Sequence, residues 1–139
     1  MALPPKGYTR APVAGNSART EAWALLESAR ALEDSKTKGS EALLAAARRN
    51  WRLWTIFQAS LSDDNCPMPI EPRRNLLTLA NFIDRQTVLV LSEPKPEHVD
   101  ALVNINRQIG EGLLEGARNS ATKQQTPAPA PVGSLRESA

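Results

Sequence analysis

Proline and glycine divide this chain before any other feature does. The eleven prolines fall into four groups: Pro4, Pro5 and Pro12, then Pro67, Pro69 and Pro72, then Pro94 and Pro96, and finally Pro127, Pro129 and Pro131. No glycine lies between Gly39 and Gly110. Both residue types disfavour helix interiors, by ~3 and ~1 kcal/mol respectively. The groups therefore act as punctuation and leave four intervals suited to helices, 17–38, 41–61, 73–92 and 97–115.

A chain of 139 residues has room for one domain. Its 41% hydrophobic content suffices for one modest core. A single cysteine, Cys66, excludes a disulfide framework and any multi-cysteine metal site. The single histidine, His98, removes most histidine-based metal sites and argues against a nucleophilic triad. No apolar run reaches the ~18 residues of a membrane span, and Met1–Lys6 does not introduce the apolar stretch of a secretory signal. These exclusions point to a cytoplasmic, non-enzymatic helical protein that needs no cofactor and does not insert into a membrane.

The two ends read differently from the middle. Residues 117–139 are rich in Pro and Ala, with Val132 and Leu135 the sizeable apolar groups, and residues 1–15 are similar. Such segments cannot bury enough surface to offset the entropy of ordering. The expected organisation is a disordered segment over 1–15, a helical domain over 16–116 and a disordered tail over 117–139. Outside 16–116 the charges are Lys6, Arg10, Arg118, Lys123 and Arg136 against Glu137, which leaves +4 on the ends. The formal total is +2, so the domain itself carries −2. That balance disfavours direct RNA or DNA binding by a folded face.

Apolar spacing gives each helix a face. Ala22, Leu25, Ala29 and Leu32 recur at three-four spacing in the first helix, with Trp23 and Leu26 widening the stripe. The second helix carries two adjoining seams, Leu44, Ala47, Trp51, Trp54 and Leu61 beside Leu43, Ala46, Leu53 and Phe57. Together they exceed the ~100° arc of an ordinary surface helix. Apolar residues cover most of the third helix between Leu76 and Leu91. Thr87–Leu91 has strand-like composition, but no comparable strand exists to pair with it. In the fourth, Val99, Leu102, Ile109 and Leu113 enclose Asn106, a polar residue inside an apolar seam that can fix register. Gly110 and Gly112 either weaken the last turn or permit close approach of another backbone. The expected fold is an all-α, compact four-helix bundle, mostly antiparallel.

Three segments together carry a resemblance. They are Arg49-Asn50-Trp51-Arg52-Leu53-Trp54, Arg74-Asn75-Leu76-Leu77-Thr78-Leu79-Ala80, and Leu102 to Leu113 with its Ile105-Asn106-Arg107-Gln108-Ile109 centre. On them, residues 16–116 resemble the FlaF family of bacterial flagellar biosynthesis regulators (not the archaeal protein of the same name). The resemblance implies a cytoplasmic protein required for flagellin production and filament assembly. It implies action alongside a second regulator, FlbT, and service as a flagellin-directed secretion chaperone. It brings no catalytic residues. Flagellin's terminal segments are amphipathic helices that pack together only in the filament, so their apolar stripes need cover before export. A groove between bundle helices could supply it, with Trp51, Trp54, Phe57, Leu76, Ile83 and Asn106 as groove candidates and Arg107 beside them.

Each of these readings has a plainer rival. Trp51 and Trp54 fit a binding hot spot, yet residue preference favours ordinary core. Asn106 and Arg107 read equally as a register-fixing pair or a recognition element. Arg48, Arg49 and Arg52, joined by Arg73 and Arg74, could contact flagellin messenger directly or with FlbT, but fit a solvated face better. A homodimeric adaptor closing the surplus apolar surface is the third option. His98 reads as a surface residue, Asp63 and Asp64 as turn formers, and Cys66 as incidental.

Overall fold

The structure, a computed structural model, describes residues 17–125, with side chains over 18–119. The described residues form α1 (Ser17–Ser35), α2 (Ser40–Ser62), α3 (Ile70–Ser92) and α4 (Asp100–Gln125), with a 3₁₀ turn at Pro96–Val99 ahead of α4. No strand occurs among them, and Thr87–Leu91 is helical. The four-helix, all-α expectation holds. The segments 1–15 and 126–139, expected to be disordered, lie outside the described residues.

Each boundary has a local cause. Gly39 sits between α1 and α2 with φ 95°, a conformation that costs glycine little and other residues much. Its carbonyl accepts the Leu43 N–H at 3.1 Å. Gly39 therefore precedes the first turn of α2, and Ser40 lies inside the helix. Pro72 falls within the first turn of α3, where its missing N–H has no intrahelical partner to lose. Asp63 shapes the α2–α3 turn: its Oδ1 accepts the Asn65 N–H at 2.8 Å and its carbonyl accepts the Cys66 N–H at 3.0 Å. This is the turn chemistry expected of it.

Packing is unequal around the bundle. α1 and α4 form the most extensive pair, antiparallel, with α2 against α1 and α3 against α2. α3 meets α4 only slightly and leans on α2 and the 3₁₀ turn. Ala22, Leu25, Ala29 and Leu32 are all buried, as the spacing of α1 predicts. Trp23 is not; it is 64% exposed and does not widen the core stripe. Val99 of the 3₁₀ turn and Leu102, Val103 and Asn106 of α4 are buried, while Ile109 and Leu113 pack at the margin.

Gly110 explains the tight α1–α4 crossing. A Cβ there would lie 2.8 Å from Leu26 Cγ and 3.2 Å from the Ala22 carbonyl oxygen. The glycine permits the close approach, and α4 continues through Gly110, Gly112 and Gly116 to Gln125 instead of fraying. The expected tail boundary at 117 falls inside this helix, and packing on α1 supports the turn at Gly110 that glycine propensity alone would weaken. At the other end of the same pair, Lys36 Nζ reaches Asp100 at 2.6 Å and Glu33 at 3.3 Å. The hydrogen bond to Asp100 is the main reason the Lys36 pKa is raised.

Candidate functional site

Of the side chains expected to line a groove, most fill the core. Trp54, Phe57, Leu76, Ile83 and Asn106 are all buried. Trp54 and Phe57 meet edge-to-face with ring centroids 5.3 Å apart. No partner helix can touch these five without opening the bundle, so the groove drawn through them is corrected to core. The physical reason is that α2 packs against α1 and α3 while Asn50 and Trp54 reach Asn106 of α4, and the inner seam is sealed between them.

What gathers there is a polar knot. Asn106 Nδ2 donates to Asn50 Oδ1 at 2.7 Å and to the Leu25 carbonyl at 3.1 Å. Asn106 Oδ1 accepts Trp54 Nε1–H at 2.9 Å. Asn50 Oδ1 also accepts the Ser28 hydroxyl at 2.8 Å. One buried cluster thus joins α1, α2 and α4, and every polar atom of the Asn106 side chain is used. Asn50 Nδ2 alone is buried without a protein partner among the described residues. Such a network adds less to stability than to the uniqueness of the register, since any helical slip would strand several buried groups. The register-fixing reading of Asn106 is the one the geometry supports. Arg107, the next residue, points out and is exposed.

Asn50 was not among the expected site residues, although a signal existed. Leu43, Ala47, Asn50, Trp54, Phe57 and Leu61 run at alternating four-three steps, and all are buried. Reading the two apolar seams separately hides this single seam, because its middle member is polar.

Trp51 has a different fate from Trp54. It is half-buried, and its Nε1–H donates to Asp84 Oδ1 of α3 at 2.8 Å. Outside this contact, the outer face of α2 holds a shallow, open depression of about 500 Å³ lined by Arg48, Trp51, Arg52, Thr55, Ile56 and Leu91. Ile56 is 69% exposed. Val88, also exposed, shares one face of α3 with Asp84 and Leu91 through its i, i+4, i+7 spacing. Arg48 and Arg52 are exposed, and neither is in the ion pairs formed among the described residues.

The other expected features separate. Arg73 is half-buried and donates to the Asp63 carbonyl at 3.3 Å, at the α2–α3 turn. At 1.5 Å per residue this is about 20 Å along α2 from Arg48, so the five arginines do not form one patch. His98 is half-buried, not a free surface group. Its Nδ1–H donates to the Glu93 carbonyl at 2.8 Å, while its own carbonyl accepts Gln86 Nε2–H at 2.8 Å. Among the described residues, no cluster of three or more His, Cys, Asp or Glu could hold a metal ion. No helix there is long and apolar enough to cross a membrane.

The sequence model of the family described as "Flagellar protein FlaF" matches residues 6–113. The chain belongs to the FlaF family. That match takes in α1, α2, α3 and the first half of α4, and with them the whole polar knot. It supports a flagellum-related role, in a family that is regulatory and not a known enzyme family. No curated protein and no solved structure matches this FlaF-family chain.

Proposed function

We propose that this chain binds newly made flagellin in the cytoplasm and supports its export and filament assembly, working alongside FlbT. The observation that carries this reading is the uncovered apolar surface on α2 and α3, Ile56 and Val88 above all, left over after the core has closed. Scattered exposed apolar residues are normal on a monomer. Ile56 and Leu91 lining one depression with the half-buried Trp51, on a family member with a flagellar role, suit temporary cover for an amphipathic flagellin helix. Isothermal calorimetry and co-elution with purified flagellin test it. A stoichiometric complex at micromolar concentration is expected, and absence of both heat and co-elution would falsify the reading.

A second reading, control of flagellin messenger translation directly or with FlbT, draws on the exposed Arg48, Arg49 and Arg52. RNA affinity falling steeply with added salt supports it, and no binding at low salt eliminates it. A homodimeric adaptor is the third, excluded if light scattering finds a monomer at all practical concentrations.

A further inference from the structure

We infer that the outer depression of α2 selects one class of partner: an amphipathic helix whose apolar stripe is edged with carboxylates. This deepens the flagellin-binding reading and rests on it. Three features of the same surface lead there. Ile56 supplies apolar floor that the core does not use, and Leu91, packed on the core from α3, adds the part of its side chain that faces the depression. Trp51 presents a ring already oriented by its 2.8 Å hydrogen bond to Asp84, so little ordering cost remains when a partner packs on it. Arg48 and Arg52 stand one helical turn apart on the rim, and neither takes part in the ion pairs formed among the described residues. Their spacing matches acidic residues placed i and i+4 along a facing helix. The apolar contacts supply affinity, and the arginine pair supplies orientation and rejection of basic edges.

The charge pattern decides the occupant. A purely apolar helix would leave two guanidinium groups beside it with nothing to pair. A basic-edged helix would be repelled. An acidic-edged helix meets both the floor and the rim.

Two fluorescently labelled synthetic amphipathic helices test this on the full chain by anisotropy. Both carry leucines at i, i+3, i+4 and i+7; one has glutamates along the stripe edge and the other lysines. The glutamate peptide is expected to bind about tenfold more tightly, the yield of two rim ion pairs. Arg48→Glu with Arg52→Glu reverses that preference, and Ile56→Glu weakens both peptides. Circular dichroism of each variant must match the parent, and Trp23→Ala, on α1, serves as the neutral control. Equal binding of the two peptides overturns the inference. So does binding that Ile56→Glu leaves intact or Trp23→Ala removes. Self-association that Ile56→Glu abolishes would assign the surface to a second copy and overturn it equally. Flagellin takes no part in this assay, so its failure leaves the calorimetric test of flagellin binding standing, and the reverse holds as well.

Discussion

The inner and outer faces of α2 solve opposite problems with similar residues. On the inner face, Trp54 is 1% exposed, with its indole N–H tied to Asn106 and its ring against Phe57. On the outer face, three residues back, Trp51 keeps part of its ring in water and anchors to α3 through Asp84. The inner face is fully committed to α1, α3 and α4 contacts. The outer face retains apolar area and exposed cationic charge that enters no ion pair among the described residues. The difference teaches that tryptophan spacing on a helix does not by itself separate core from interface. What separates them is whether neighbouring helices converge on that arc of the cylinder.

Truncation breaks the comparison most sharply. Trp54→Ala removes the largest fully buried side chain, and a loss of ~3–5 kcal/mol is expected. Trp51→Ala loses one hydrogen bond and a partly buried ring, about 1–2 kcal/mol. Thermal melting of the two variants side by side measures the gap. Equal losses would mean that Trp51 is as much a core residue as Trp54, and the outer face would lose its special standing.

The polar knot comes next in size. Asn106→Leu strands Trp54 Nε1–H and leaves Asn50 with Ser28 as its remaining partner, for a loss of about 2–4 kcal/mol. Asn50→Leu removes a side chain whose Nδ2 is already without a partner. Asn106 keeps its bond to the Leu25 carbonyl in that variant, and Ser28 can turn its hydroxyl elsewhere. Asn50→Leu is therefore expected to cost clearly less. Chemical denaturation of both orders them, and the reverse order would show that Asn50, not Asn106, holds the cluster together.

A third contrast has opposite signs within one helix. Gly110→Ala forces a Cβ against Leu26 and the Ala22 carbonyl, and about 1–3 kcal/mol of destabilisation follows. Gly112 has open space around its Cβ position. Gly112→Ala should stabilise by up to ~1 kcal/mol through helix propensity. Melting temperatures moving in the same direction would mean that the α1–α4 contact is looser than its geometry.

These contrasts also mark how far the residues alone could be read. Four helices, their order and the inward faces of α1 and α4 were legible because proline punctuation and three-four spacing are local signals. Asn106 was legible too, as a polar interruption in an otherwise apolar seam. Asn50 was not, because its seam crosses two apolar ones, and the choice among them depends on which arc α1 covers. The groove candidates failed for the same reason. Trp54, Phe57 and Ile83 differ from Ile56 and Val88 in the helices that surround them, and neither hydropathy nor spacing encodes that. The length of α4 was hidden because Gly110, a helix weakener by propensity, is held against α1 by tertiary contact.

The smallest expected effect concerns charge at the edge of the core. Glu21 of α1 is half-buried, takes no part in the ion pairs formed among the described residues, and has a pKa raised by desolvation. Burial favours its protonated form, so its contribution to stability is greatest below the unfolded-state value of ~4.3. That contribution is lost as pH rises through the raised folded-state value. Glu21→Gln keeps the shape and removes the titration. The variant should therefore melt slightly higher than the parent at neutral pH, and the difference should vanish in acid. The knot contrasts with this, since its amides and indole do not titrate over the same range and Asn106→Leu should cost as much in acid as at neutrality. If Glu21→Gln destabilises at neutral pH instead, the carboxylate has a favourable partner that outweighs desolvation, and the edge of the core is as well satisfied as its Asn106 centre.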